Sequence, residues 1–222
     1  MTAKDQYIAY ALQHAVPLFF KPYWLDLFGS NWQVIQEGDK DETVYFIYRI
    51  EKKFNFKIIR NAYLTPYSGF IFCHREMPDT RRQQAVTALL KRLPASHELQ
   101  IDLHPDTGTQ FEAQGFTFSI KKTNILDISQ MTDVYDAYKP ALKRQIKKAT
   151  KLVGIEEKDD ITLFYKLYQS TFQKQDKKAV IPFAAFKEVW QTCKKMNCGR
   201  LLFATDQQQQ VHAALLLTYD EQ

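Results

Sequence analysis

Lys143, Lys147 and Lys151 recur at intervals of four residues, and Arg144 and Lys148 do the same. On a helix this spacing lines side chains up along one side. A row of cations does one kind of chemistry well, which is to hold anions. Arg144 is the best placed by type, because a guanidinium grips phosphate through two parallel hydrogen bonds. Lys147 and Lys148 add charge beside it. Three readings stay open: a solvated helix face, a site for a phosphate-bearing substrate, and a nucleic-acid contact, tRNA included. The net charge is +5, from 30 basic and 25 acidic residues. Residues 139–158 hold seven of the basic residues and two of the acidic ones, which is the whole excess. The rest of the chain is neutral, so an extended nucleic-acid groove is not indicated.

A second candidate lies in the first half. The segment LTPYSGF (64–70) puts the hydroxyls of Tyr67 and Ser68 just before Gly69. It reads either as a tight turn shaped by Pro66 and Gly69 or as a loop at a binding cleft. Upstream, Lys21 sits among Phe20, Tyr23 and Trp24, where a cation could reach an anion. The aromatic side chains read first as core and second as a ligand platform. No catalytic residue is selected by spacing. The five histidines are scattered, and none stands beside a Ser or Cys in a triad signature. Glu188 and Asp220 could take a proton, but nothing in the sequence prefers them. Cys193 and Cys198 lack the further ligands of a zinc site, so no metal is expected. Three cysteines, an odd number, fit a reducing compartment and a cytoplasmic protein.

These residues need elements to position them. Thr2 and Asp5 make a capping box for a first helix, which Pro17 ends. Strands are expected at Trp32–Gln36, at Thr43–Ile50 and through Phe54, Phe56 and Ile58, then a short apolar run ending at Phe72. Pro78 and Asp79 open a helix with Ala85, Leu89 and Leu93 on one face. His97–Leu103 alternates as a strand. A turn of helix at Phe111–Gln114 and strands at Phe116–Ile120 and Asn124–Ile128 complete a first domain, 1–129. A second domain, 130–222, starts with a short helix at Met131–Tyr138. Pro140 opens the basic helix, with Leu142, Ile146, Ala149 and Val153 as its buried stripe and Gly154 as its stop. Asp160 caps the next helix, whose Ile161, Phe164, Tyr165, Tyr168 and Phe172 face inward. Pro182 begins another, ending near Gly199. Leu201–Thr205 and Val211–Tyr219 form a hairpin, and the open edge at 211–219 could pair with a second copy as a homodimer.

Hydrophobic residues make up 45% and charged residues 25% of the 222 positions, a balance that excludes a disordered chain. No stretch approaches the roughly 20 apolar residues of a membrane-spanning helix. The N-terminus lacks the continuous apolar centre of a secretory signal.

Several segments resemble the FemAB-like acyl- and aminoacyltransferases, a branch of the GNAT superfamily. They are PLFFKPYWLDLFGSNW (17–32), LTPYSGF (64–70), QGFTFSIKKTNILDIS (114–129), LKRQIKKA (142–149), FYKLYQSTFQKQ (164–175) and LLFATDQQQQVHAALLLTYD (201–220). The resemblance implies two similar α/β halves of GNAT-like fold, with mixed sheets and the acceptor bound between them. It implies transfer of an acyl or aminoacyl group to an amine, as in bacterial cell-envelope biosynthesis. The donor is then acetyl-CoA or an aminoacyl-tRNA, and the basic helix lies beside the acceptor cleft. Such chemistry rests on proximity and a polarised carbonyl, so a missing triad says little.

One departure stands out. GNAT domains seat the donor pyrophosphate on a Gly-rich turn, where bare backbone N–H groups meet the phosphates. Here no two glycines are closer than seven residues, and the corresponding turn HREMPDTRRQQ (74–84) has none. The sequence therefore predicts a chain with no bound cofactor and an incomplete donor site, its second GNAT-like copy cut short at residue 222. The alternative is a non-catalytic module that uses the basic helix to hold an anionic partner.

Overall fold

The run VYFIY (44–48) is buried at every position, as expected of a strand with cover on both faces. It begins β2 (Val44–Lys53), the centre of a mixed sheet. The structure is a computed structural model that describes residues 1–29, 31–39, 42–62, 64–74, 76–103, 127, 129 and 131–220. β1 (Trp32–Glu37) runs antiparallel along one edge of β2. The other edge is shared between β3 (Phe56–Arg60) and β4 (Phe70–Phe72), both antiparallel to it. β5 (Glu98–Gln100) then joins β3 in parallel.

Alternation on β2 sends side chains to two separate cores. Val44, Phe46 and Tyr48 meet Ile59 and Phe70 under Ala85, Val86 and Leu89 of α3 (Asp79–Lys91). Tyr45 and Ile47 point the other way, to Tyr7 of α1 (Ala3–Gln13), Val16, Phe20 and Trp32. α1 carries the predicted capping box: Thr2 Oγ1 accepts from the Asp5 N–H, and the Asp5 carboxylate accepts from the Thr2 N–H. A 3-10 turn (Leu18–Phe20) and the single-turn α2 (Pro22–Leu25) complete this layer.

By its internal contacts the chain divides into two units, Met1–Thr117 with Asp220–Gln222, and Phe118–Tyr219. The boundary expected at 129/130 adjoins residues outside the described set. The short helix expected at Phe111–Gln114 and the strand at Phe116–Ile120 lie outside that set too. So does the strand at Asn124–Ile128, apart from Asp127.

In the second unit α4 (Pro140–Ala149) is the basic helix. β6 (Val153–Glu157), β7 (Gly199–Asp206) and β8 (Val211–Thr218) form an antiparallel sheet in that order. α5 (Ile161–Gln173) starts at Asp160, whose carboxylate accepts from the Leu163 N–H. α6 (Phe183–Met196) ends at Asn197 in the left-handed conformation, two residues before Gly199. Phe186 gathers the rings of Phe164, Tyr165 and Tyr168 between α5 and α6.

Three local expectations give way. Residues 131–138 form successive three-residue turns rather than a helix: the N–H groups of Asp136, Ala137 and Tyr138 donate to carbonyls only three residues back. The basic helix stops at Thr150, not at Gly154, and Val153 begins a strand paired with Asp206. Its predicted stripe is not buried either, since Leu142 is 41% exposed and Ile146 only half-covered. The alternation expected through Phe54, Phe56 and Ile58 leaves the covered face open; on β3 it is Ile59 that is buried, while Phe56 and, in the turn before the strand, Phe54 are exposed.

Candidate functional site

The first-half candidates gather around one aromatic corner. Tyr67 lies edge-on to Phe19 at 5.3 Å and tilted against Phe20 at 6.0 Å. Trp24 meets Phe19 from another side at 5.2 Å. Pro22 at the start of α2 fixes the backbone there, and Lys21 is the residue that caps it. Trp24 is buried, and its indole Nε1–H has no acceptor among the described residues. A buried donor without a partner is uncommon enough to mark a place where a ligand group could dock.

Asp220 joins this corner from the far end of the chain. Its Oδ2 accepts from the backbone N–H of Leu18 at 2.6 Å. The Tyr67 hydroxyl is held above its ordinary pKa by burial first and by the negative charge of Asp220 second. The raised Tyr67 hydroxyl is protonated at neutral pH, so it has a proton to donate. The sequence alone gives no reason to prefer Asp220. The reason is spatial, and no local pattern carries it.

Ser68 has a different place. It is buried, its Oγ donates to the Ile47 carbonyl at 2.7 Å, and its N–H donates to the Asp102 carbonyl at 2.7 Å. The hydroxyl faces the sheet and staples the 64–70 segment to β2.

Arg144, Lys147 and Lys148 all stand on α4 in the second unit, exposed. Lys143 is occupied: its Nζ donates to the Asp136 carbonyl at 3.0 Å and lies over the Tyr135 ring. Lys147 and Lys148 sit in the last turn of α4, where the helix dipole favours positive charge. That placement lowers the cost of like-charged neighbours.

The loop that leads from β4 to α3 can be compared with a pyrophosphate cradle. Pro78 stands at the cap of α3 with no side-chain cap bond, and Asp79 puts a negative charge in the first turn. A proline has no N–H to offer and a carboxylate repels phosphate, so this helix start is a poor anion seat. Among the described residues no group of three or more His, Cys, Asp or Glu side chains could hold a metal. No helix among them is long and apolar enough to cross a membrane.

No family model matches the sequence, and no curated protein matches it. Among solved structures, the crystal structure of FemX is similar, with a TM-score of 0.53 and 13% identity. The match covers 92% of this chain and 56% of that one, so the chain spans a little over half of FemX. The likeness shows the fold: a mixed α/β fold of the GNAT-like kind.

Proposed function

We propose that this protein belongs to a Fem-type transferase system that moves an acyl or aminoacyl group onto an amine. The observation that carries the reading is the fold likeness to FemX, which extends over 92% of the chain. The corner formed by Tyr67, Trp24 and Asp220 supports it. A carboxylate lies close enough to a protonated phenol to shift its ionisation, and the indole that meets Phe19 from another side carries an unsatisfied donor. In this reading Tyr67 and Trp24 orient the acceptor by hydrogen bonding, the amine attacks the donor carbonyl as its proton passes to Asp220, and the thioester or ester bond breaks to release the CoA thiol or the tRNA 3′-hydroxyl, which takes up that proton. Within the second unit, Arg144, Lys147 and Lys148 supply positive charge of their own for a phosphate-bearing ligand or a tRNA. Acetyl-CoA and aminoacyl-tRNA are the donors to test.

The experiment is a transfer assay with the purified chain, offering labelled acetyl-CoA or aminoacyl-tRNA together with a panel of amines. Labelled amide product, lost in Asp220→Asn, would support the reading and would show that the donor is seated elsewhere than at the start of α3. Salt-sensitive retention of tRNA or pyrophosphate without product would move the protein to the class of anion-binding modules. Neither product nor binding would end the proposal.

A further inference from the structure

The β2–β3 hairpin carries a feature that the proposed transfer does not use. Lys53 pairs with Phe56, leaving Phe54 and Asn55 as a two-residue turn. Phe54 occupies it at φ 54°, a conformation that suits Gly or Asn and is a steric outlier for a bulky side chain. The residue is 96% exposed. Phe56 is 60% exposed, with its ring 4.7 Å from that of His97. Lys52 and Lys57 are directly opposite one another, a like-charge pairing that weakens a hairpin. Lys53 adds a third exposed ammonium group. Glu51, the acid nearest in sequence, is already shared by Arg49 and Arg60. Glu98 lies opposite Ile58, farther from the turn.

Strained backbone, a solvated ring and facing lysines all work against this hairpin in water. One environment reverses all but the backbone strain. We propose that the tip is a membrane-docking wedge for an anionic lipid surface. Phe54 leads at the apex, and Lys52, Lys53 and Lys57 follow within three positions on the two strands. At about 3.3 Å per residue, the ammonium groups trail the ring by up to ~10 Å. That is the scale of the ~5–10 Å to which interfacial apolar groups are buried at the boundary of headgroups and acyl chains. The ring enters the apolar layer while the phosphates neutralise the lysines. Single-stranded nucleic acid fits less well. Base stacking needs a ring presented on a platform, whereas Phe54 stands alone on the turn and Phe56 is already against His97.

The test is co-sedimentation of the full chain with vesicles of phosphatidylcholine, alone or mixed with phosphatidylglycerol, and with oligouridylate as competitor. Binding to the anionic vesicles alone is expected. Phe54→Asn removes the ring and gives the turn a residue that accepts positive φ, so it folds at least as stably, with equal or higher Tm. Its affinity for anionic vesicles is expected to fall by about tenfold or more. Replacing Lys52, Lys53 and Lys57 together by Gln costs about 100-fold, roughly fivefold for each lysine. Phe54→Trp is expected to shift its emission to the blue on anionic vesicles. Failure to bind them, binding that Phe54→Asn leaves unchanged, or capture by oligouridylate in place of vesicles would overturn the wedge.

Discussion

The carboxylate of Asp220 accepts from the backbone N–H of Leu18 at 2.6 Å, although 202 positions separate them in sequence. This bond fixes the turn that leads into Lys21 and α2, and it brings a negative charge to the Tyr67 hydroxyl. Asp220→Ala leaves the half-covered N–H without its charged acceptor and is expected to cost about 1.5–3 kcal/mol. Asp220→Asn keeps a neutral acceptor and should cost less. Both variants also remove the charge that holds Tyr67 up. Spectrophotometric titration of the phenol should show it ionising at lower pH than in the parent, though still above an exposed tyrosine because burial remains.

Gly199 is where β7 leaves α6. A Cβ there would stand 2.8 Å from Cys193 Cβ and 3.1 Å from the Leu217 carbonyl. Neither neighbour is a flexible side-chain end, so helix and strand would have to separate. Gly199→Ala is expected to destabilise by about 1–3 kcal/mol, read from urea midpoints. A neutral result would mean that the contact between α6 and β7 is looser than these distances state.

How far the sequence foretold the molecule differs by element. The α1 capping box, the α3 start at Pro78 and Asp79, the Asp160 cap and the β7–β8 hairpin were all readable, because each is set by local chemistry. β6 was not. Val153 continues the spacing of Leu142, Ile146 and Ala149 by coincidence, so a helix rule ran on past Thr150. What makes 153–157 a strand is pairing with Leu202–Asp206, a partner about 50 residues away. Exposure of Phe54 and Phe56 was hidden for a related reason: period-two alternation does not say which face is covered. At the candidate site, residue types singled out Tyr67, Trp24 and Lys21. The inward turn of the Ser68 hydroxyl and the arrival of Asp220 are tertiary facts with no local signature.

Cys193 is fully buried, and burial first and the neighbouring Cys198 second push its thiol up to about 12. The ordinary value is 9.0, so the unfolded chain loses this proton earlier than the folded one. Its contribution to stability is complete below pH 9 and declines as pH rises from about 9 toward 12. The buried Tyr7 hydroxyl, also raised, acts in the same direction above its own ordinary range. Cys193→Ala should therefore flatten the alkaline limb of a stability–pH profile without abolishing it. An unchanged limb would show that Cys193 does not titrate differently on unfolding.

Trp190 Nε1 and Lys194 Nζ both donate to the Asp159 carboxylate, at 2.6 and 2.7 Å. These bonds, that from Lys194 first, hold Asp159 below its ordinary pKa. A depressed carboxylate stabilises the fold above the unfolded value and loses that contribution as pH falls through the folded one. Asp159→Asn should therefore remove part of the acid sensitivity below about pH 4. Trp190 fluorescence during acid titration reads the change directly, since its indole is one of the donors.

Arg144, Lys147 and Lys148 decide between a solvated face and an anion site. Arg144 and Lys148 are four residues apart on α4 and exposed, and like charges at this spacing repel by about 0.2–0.5 kcal/mol. If they serve only solubility, Arg144→Gln with Lys148→Gln should leave stability equal or slightly raised and change no binding. If they hold phosphate, the parent should bind pyrophosphate with an affinity that falls as salt rises, and the double variant should lose both the binding and its salt dependence. Lys143→Gln is the internal control. Its ammonium is engaged with Asp136 and Tyr135, so its loss should loosen the 131–138 turns while leaving pyrophosphate binding close to that of the parent. Equal losses from Lys143 and from the Arg144–Lys148 pair would point to diffuse attraction rather than a site.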